Sequence, residues 1–318
     1  MSNARAKVYT LASLLDDLVA EHEAADLAIA EGRNLGPVIE FDRLRDELGG
    51  WWDGVTAMHA GPGAGKSAFA IQAAMHAECP AIYLTCEMSA QTVLRRMIAN
   101  KSGEYLGKLR RGRIAAANIR RHAEQVVADH PHVGIIDATT APCSPDLLRT
   151  CVEKMRAHGE HVFVVVDSVH ALACGAYPDV DEYQAVSSAV EMLRGISAEY
   201  HVAALEIIER NRASMTSGGM HAGAATRKIE YSADAILALD GTGKVEVAGM
   251  GEAVGVNLTL QKNRNGRPGV TIGYAFEGAT QRFLETGPEW PELDVVREIG
   301  KATRRSRREM PECEDEAS

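Results

Sequence analysis

The sequence predicts an α/β protein with a mostly parallel central sheet, antiparallel strands towards its C-terminal side and a helical arm at its N-terminal side. Three observations predict this. Short apolar runs alternate with segments of helical period from Val55 to Leu239. One run, Val162–Val166, is apolar at every position, as in a strand covered on both faces of a parallel sheet. Three further strand-like segments follow residue 242, separated by glycine-containing turns.

The elements follow in order. Residues 10–31 form one amphipathic helix: Thr10 supplies a cap, and Leu11, Leu14, Leu15, Leu18 and Ala25 recur at helical spacing. Such an arm packs either on its own domain or on a neighbouring subunit. Gly32–Gly36 breaks it, and a short helix over 41–48 ends at Gly49-Gly50. Strands are expected at 55–59, 81–85, 133–136, 162–166, 202–208 and 235–239. Helices are expected between them at 66–77, 90–100, 113–129, 145–157 and 181–200. Residues 210–226 are polar and rich in glycine and are expected to be a mobile loop. Residues 243–248, 254–262 and 270–276 are expected to be antiparallel strands, with turns at Gly249-Met250-Gly251 and Asn265-Gly266. The organisation is therefore an N-terminal helical arm (1–38), an α/β domain (39–286) and a charged tail (287–318) expected to be disordered. No internal repeat is visible.

The 318 residues suffice for one α/β core of about 200–250 residues with short additions. There is no run of 18 apolar residues and no secretory leader pattern, so membrane insertion and export are not expected. Six cysteines without a CxxC pair suggest reduced thiols in the cytoplasm, not a zinc site. A net charge of −10 argues against a dedicated nucleic-acid coat, though not against a ring that grips a strand with a few local cations. The basic runs at Arg110–Arg121 and Arg304–Arg308 are equally consistent with a solvated helix face and a solvated tail.

Chemistry concentrates in three places. The segment Ala60-Gly61-Pro62-Gly63-Ala64-Gly65-Lys66-Ser67-Ala68 lies between an expected strand and an expected helix, the context of a phosphate-binding loop. Glycines let the backbone wrap so that its N–H groups point at phosphate oxygens, and the helix dipole adds to them. Lys66 would reach the β- and γ-phosphates of ATP and Ser67 would ligate Mg²⁺. Asp167 ends the apolar run 162–166 and would hold the same Mg²⁺. Glu87 follows the second strand; it is either a base for an attacking water or an acid favoured by the next helix's dipole.

With these in place, the chain resembles the C-terminal ATPase domain of DnaB-type replicative helicases, within the RecA-like P-loop ATPases. The likeness spans about residues 40–285. It rests on the loop with its alanine start, Glu87-Met88-Ser89, Val164-Val165-Val166-Asp167-Ser168, the segment Lys228–Ile236 and Lys262-Asn263-Arg264-Asn265-Gly266. The resemblance implies that Glu87 is the catalytic base, and that Lys262 and Arg264 reach the γ-phosphate held by an adjacent subunit of a homo-oligomeric, hexameric ring. Taken without it, Lys262 and Arg264 are hairpin surface cations. It implies single-stranded DNA as partner, with a primase or loader protein, and movement along DNA in replication driven by ATP hydrolysis. DNA contacts are expected from Arg210, Arg212, Arg227 and Lys228, and less from the acidic segment 174–183. Two departures stand out. No glutamine ends the strand Val202–Ile208, where the family has one that senses the γ-phosphate; Glu206 and Glu209 are the substitutes at hand. Only about 50 residues precede the core, so the family's N-terminal helical domain is not expected. These departures keep open a RecA-like ATPase that does not unwind: a recombination mediator, a loader or a regulatory module. A small-molecule kinase fits less well, having no use for a finger-bearing hairpin.

Overall fold

Every residue of Phe163–Asp167 is buried, and its side chains alternate between two apolar layers. Phe163 and Val165 face one layer, Val164 and Val166 the other. A strand of this kind needs helices on both sides, and the computed structural model has them. It describes residues 8–61, 63–209 and 224–290.

In chain order the elements are α1 (Leu11–Ala30), α2 (Asp42–Leu48), β1 (Gly54–Ala60), α3 (Lys66–Met75), β2 (Ala81–Thr85), α4 (Ala90–Ser102), α5 (Leu106–Arg110), α6 (Ala116–Asp129) and β3 (Val133–Asp137). There follow α7 (Pro145–Arg156), β4 (Phe163–Asp167), α8 (Val169–Ala176), α9 (Glu182–Tyr200), β5 (Ala203–Glu209), α10 (Ala224–Ser232), β6 (Ala235–Val247), β7 (Gly251–Asn263), β8 (Thr271–Glu277) and β9 (Arg282–Gly287). The described strands form one sheet in the order β3-β2-β4-β5-β1-β6-β7-β8-β9. Pairing is parallel from β3 to β6 and antiparallel from β6 to β9. One layer packs α2, α3, α4 and α6 on the sheet through residues such as Leu44, Phe69, Met97 and Val126. The other packs α7, α8, α9 and α10 through Leu148, Leu172, Leu193 and Ile229. This is the expected architecture.

Several expectations are revised in detail. Residues 235–239 and 243–247 belong to one strand, β6, which carries an irregularity between Gly241 and Gly243 where it leaves the parallel core for the antiparallel hairpin. Helices α5, α8 and α10 and strand β9 are additions to the sequence-based order. Strand β9 has too little alternation to announce itself, yet the backbone pairing with β8 and a buried network secure it. Gln72 of α3 donates to Phe283 O (3.0 Å) and accepts from Phe283 N (2.8 Å), and Asn100 of α4 donates to Gln72 and to Gln281 O. Beyond β9, Trp290 is hydrogen-bonded to Asn257 and Tyr274. The expected loop over 210–226 lies mostly outside the described residues, and its last part belongs to α10.

Helix α1 forms with a Thr10–Ser13 capping box, as the sequence suggests. Its apolar face finds no cover among the described residues of its own chain: Leu11, Leu15 and Leu18 are 90%, 58% and 52% exposed. Among the described residues no helix is long and apolar enough to cross a membrane.

Candidate nucleotide site at the carboxyl ends of the parallel strands

Strand β1 delivers the chain into the glycine loop, and α3 takes it away. Gly63 and Gly65 adopt φ of +80° and +91°, the left-handed region that favours glycine. A Cβ on Gly65 would come within 2.8 Å of Phe283 and 2.9 Å of Phe276, a stacked aromatic pair that supports the loop from below. A Cβ on Gly63 would meet nothing within 4 Å, so the space over the loop is open. No side chain caps the start of α3, whose first N–H groups are thus left for an anion. Ala60, Ala64 and Ala68 are buried beneath the loop, Gly61 and Gly65 are partly exposed, and Lys66 and Ser67 are half-buried at its rim. Pro62 lies outside the described residues.

Asp167 ends β4 beside Thr85 of β2, and Cys86 N donates to Asp167 O at 2.8 Å. That bond brings the corner after β2 against the acid. Thr85 locks the corner by accepting from Met88 N and donating to Met88 O. Glu87 stands exposed on this corner, and Ser168 donates to its Oε1 at 3.0 Å. The Asp167–Ser168 peptide is cis. Tyr83, wholly buried on β2, donates from its hydroxyl to Asp167 Oδ2 at 2.6 Å. Burial, and next the Asp167 charge, push this phenol well above its usual range, so it stays a donor.

The structure thus gathers Lys66, Ser67, Asp167 and Glu87 at one end of β1, β2 and β4. Tyr83 and Ser168, which hold the two carboxylates, escape the sequence reading. Their signals are faint: a tyrosine in an otherwise aliphatic strand and a hydroxyl directly after the acid. The donor set fits a hard divalent cation: a hydroxyl at the start of α3 and a carboxylate held by a buried phenol, beside an open glycine cradle.

Lys262 and Arg264 are not brought to this site. Strand β7 runs antiparallel to β6, so its last residue, Asn263, pairs with Ala235, and Ala235 pairs with Thr56 near the start of β1. The two cations sit at the opposite end of the sheet from their own loop, more than about 13 Å away at ~3.3 Å per strand residue. Lys262 Nζ donates to the carbonyls of Glu230 (2.9 Å), Tyr231 (3.3 Å) and Ala233 (2.6 Å), capping the end of α10. Burial, then the neighbouring Arg264, lower its pKa. Arg264 donates to Asp234 Oδ1 (2.7 Å) and Tyr231 O (3.3 Å). Asp234 in turn accepts from Val55 N with its other oxygen, tying the hairpin to the start of β1.

The remaining candidates separate. Arg210 and Arg212 lie outside the described residues. Arg227 falls in α10 with its side chain outside the description. Lys228 is paired with Glu191 of α9 at 2.9 Å. The segment 174–183 is partly helical, since α8 runs to Ala176. Glu206 cannot stand in for a phosphate-sensing glutamine. It lies in mid-strand opposite Ala57 and Val166, fully buried towards α9, with neither carboxyl oxygen hydrogen-bonded. Glu209, at the strand's end, has a side chain outside the description.

Residues 38–285 match the DnaB-like helicase C-terminal domain family. The chain belongs to that family. It is 24% identical over 91% of its length to the replicative DNA helicase DnaB of Leifsonia xyli subsp. xyli, and spans 66% of that helicase's length. In fold it is similar to a DnaB-like replicative helicase studied with primase, with TM-score 0.69 and 18% identity over 89% of this chain and 68% of that one. A solved ATPase domain covers it comparably, with TM-score 0.70 and 18% identity over 86% of this chain and 98% of that one. A KaiC-like protein from Pyrococcus horikoshii is more distant, with TM-score 0.52 and 17% identity over 80% and 98% of the two chains. The DnaB-like chain therefore has a RecA-like ATPase fold.

Proposed function

We propose that this DnaB-like chain is the motor of a ring-forming helicase or translocase that hydrolyses ATP between subunits and moves along single-stranded DNA. The observation that carries the reading is the separation of the hydrolytic residues onto two ends of one sheet. Lys66, Ser67, Asp167 and Glu87 lie at the carboxyl ends of the parallel strands, and Arg264 lies at the amino end. A single chain cannot complete such a site, whereas a head-to-tail neighbour can.

In this mechanism the loop amides and Lys66 bind the triphosphate, and Ser67 with Asp167 holds Mg²⁺. Bound Mg²⁺ neutralises charge on the β- and γ-phosphates. Glu87, held by Ser168, takes the proton of the attacking water. Arg264 of the adjacent subunit leaves Asp234 and stabilises the developing phosphoryl charge, a role worth on the order of 10³–10⁵ in rate. The Arg264–Asp234 pair is half-exposed, and such pairs are weak enough to exchange for a polyphosphate. Lys262, occupied with the carbonyls of Glu230, Tyr231 and Ala233 at the end of α10, anchors the finger in this reading.

The uncovered leucines of α1 match in character the apolar residues Ala116, Ile119, Ala123 and Val127 on the open surface of α6, where Arg120 and Glu124 lie among them. We assign α1 of one copy to this surface of the next.

The test is a mixing experiment. Glu87→Gln and Arg264→Ala each lower turnover by at least about 100-fold, the scale of a lost base or finger. Mixed oligomers of the two regain activity, because the intact loop of one variant meets the intact arginine of the other. No recovery in co-assembled mixtures overturns the shared site. The absence of a glutamine on β5 favours a second reading, a RecA-like ATPase that binds DNA without unwinding. Strand separation on a forked duplex distinguishes the two.

A further inference from the structure

We infer that Tyr83 is a positioning residue for the cation site, setting Mg²⁺ affinity by holding the Asp167 carboxylate in place. The inference rests on the Mg-ATP reading of the loop and deepens it.

Tyr83 occupies the middle of β2, flanked by Ile82 and Leu84, and its ring is packed in the layer beneath α3 with no solvent exposure. A buried phenol needs an acceptor, and here the acceptor is Asp167 Oδ2 at 2.6 Å, a charge-assisted contact. One buried phenol of β2 therefore holds the carboxylate at the end of β4, 84 positions away in sequence. With Oδ2 engaged by the phenol, Oδ1 is the oxygen left for a cation.

A ligand carboxylate fixed by a buried neighbour keeps its rotamer when the ion leaves. The cost of ordering it is then met in folding and not at each binding event. Loss of an outer partner of this kind typically weakens metal affinity 10–100-fold. Ser168 bears on Glu87, not Asp167, so it does not duplicate the function.

The experiment is a Mg²⁺ titration of the full chain with a fluorescent ADP analogue. Tyr83→Phe keeps the ring and removes only the donor. In EDTA its nucleotide affinity and thermal midpoint stay near those of the parent, while the Mg²⁺ concentration giving half-maximal tightening of nucleotide rises at least about tenfold. Tyr83→Leu, aliphatic like its strand neighbours, gives the same readout should the phenylalanine variant not accumulate. Asp167→Asn removes the charged ligand, and adding Tyr83→Phe to it produces no further shift. An unchanged Mg²⁺ midpoint in a variant that binds nucleotide overturns the inference, as does an additive effect in the double variant. A parent chain that retains no nucleotide at all overturns the loop reading instead.

Discussion

Glu206 shows how a single residue's role turns on which way a strand faces. Burial lifts its carboxyl from 4.5 to about 8, with Arg194 opposing weakly. It is therefore protonated at neutral pH in the folded protein and ionised in the unfolded chain. The folded state binds the extra proton between those two values. The stability associated with Glu206 is thus complete below about pH 4.5 and lost as pH rises to about 8. Glu206→Gln removes this dependence. We expect its unfolding free energy to match the parent's near pH 4.5 and to exceed it near pH 8, by a margin on the order of 1–4 kcal/mol. Equal free energies across that range contradict the assignment. Glu40 shares the direction, since burial also raises it to about 8. Burial also lowers His76, 3.3 Å away, so burial opposes the charged form of both partners.

At the scale of elements, the end of α10 is where the hairpin carrying Arg264 is tied to the domain. Three carbonyls that would otherwise lack intrahelical partners converge on one ammonium. Lys262→Met retains the aliphatic stem and removes the cap. We expect a loss of about 1–2 kcal/mol, read as a lower thermal midpoint. Turnover should fall less than in Arg264→Ala, whose half-exposed side chain contributes little to the fold. A Lys262→Met protein with unchanged stability and turnover as low as Arg264→Ala would make Lys262 a second finger. The elements that periodicity missed have a common cause. Helix α8 begins at Val169 with Ser168 as its cap, and only the pair Asp167-Ser168 marks the turn from β4. Strand β9 depends on Gln72 and Asn100, more than 180 residues away in sequence.

At the scale of the whole molecule, α1 stands on the domain without covering its leucines. Leu14→Glu with Leu18→Glu should leave the monomer's thermal midpoint unchanged, because both side chains are exposed in the single chain. Assembly should require at least about tenfold more protein, given the apolar burial lost at the contact. Native mass spectrometry with a nucleotide analogue reads the distribution. An unchanged oligomer population removes α1 from the interface.

The sequence alone determined the alternating α/β order and the DnaB-like resemblance, and it singled out the candidate loop, Asp167 and Glu87. Each is written in short contiguous segments, where glycine placement, apolar runs and helix period act locally. Tertiary structure alone decided which side chains hold the carboxylates, that Glu206 is interior, and that Lys262 caps a helix. It also decided that Arg264 lies across the sheet from its own loop. Those facts depend on strand order and facing, which arise from packing residues distant in sequence, and local periodicity carries no record of such pairings.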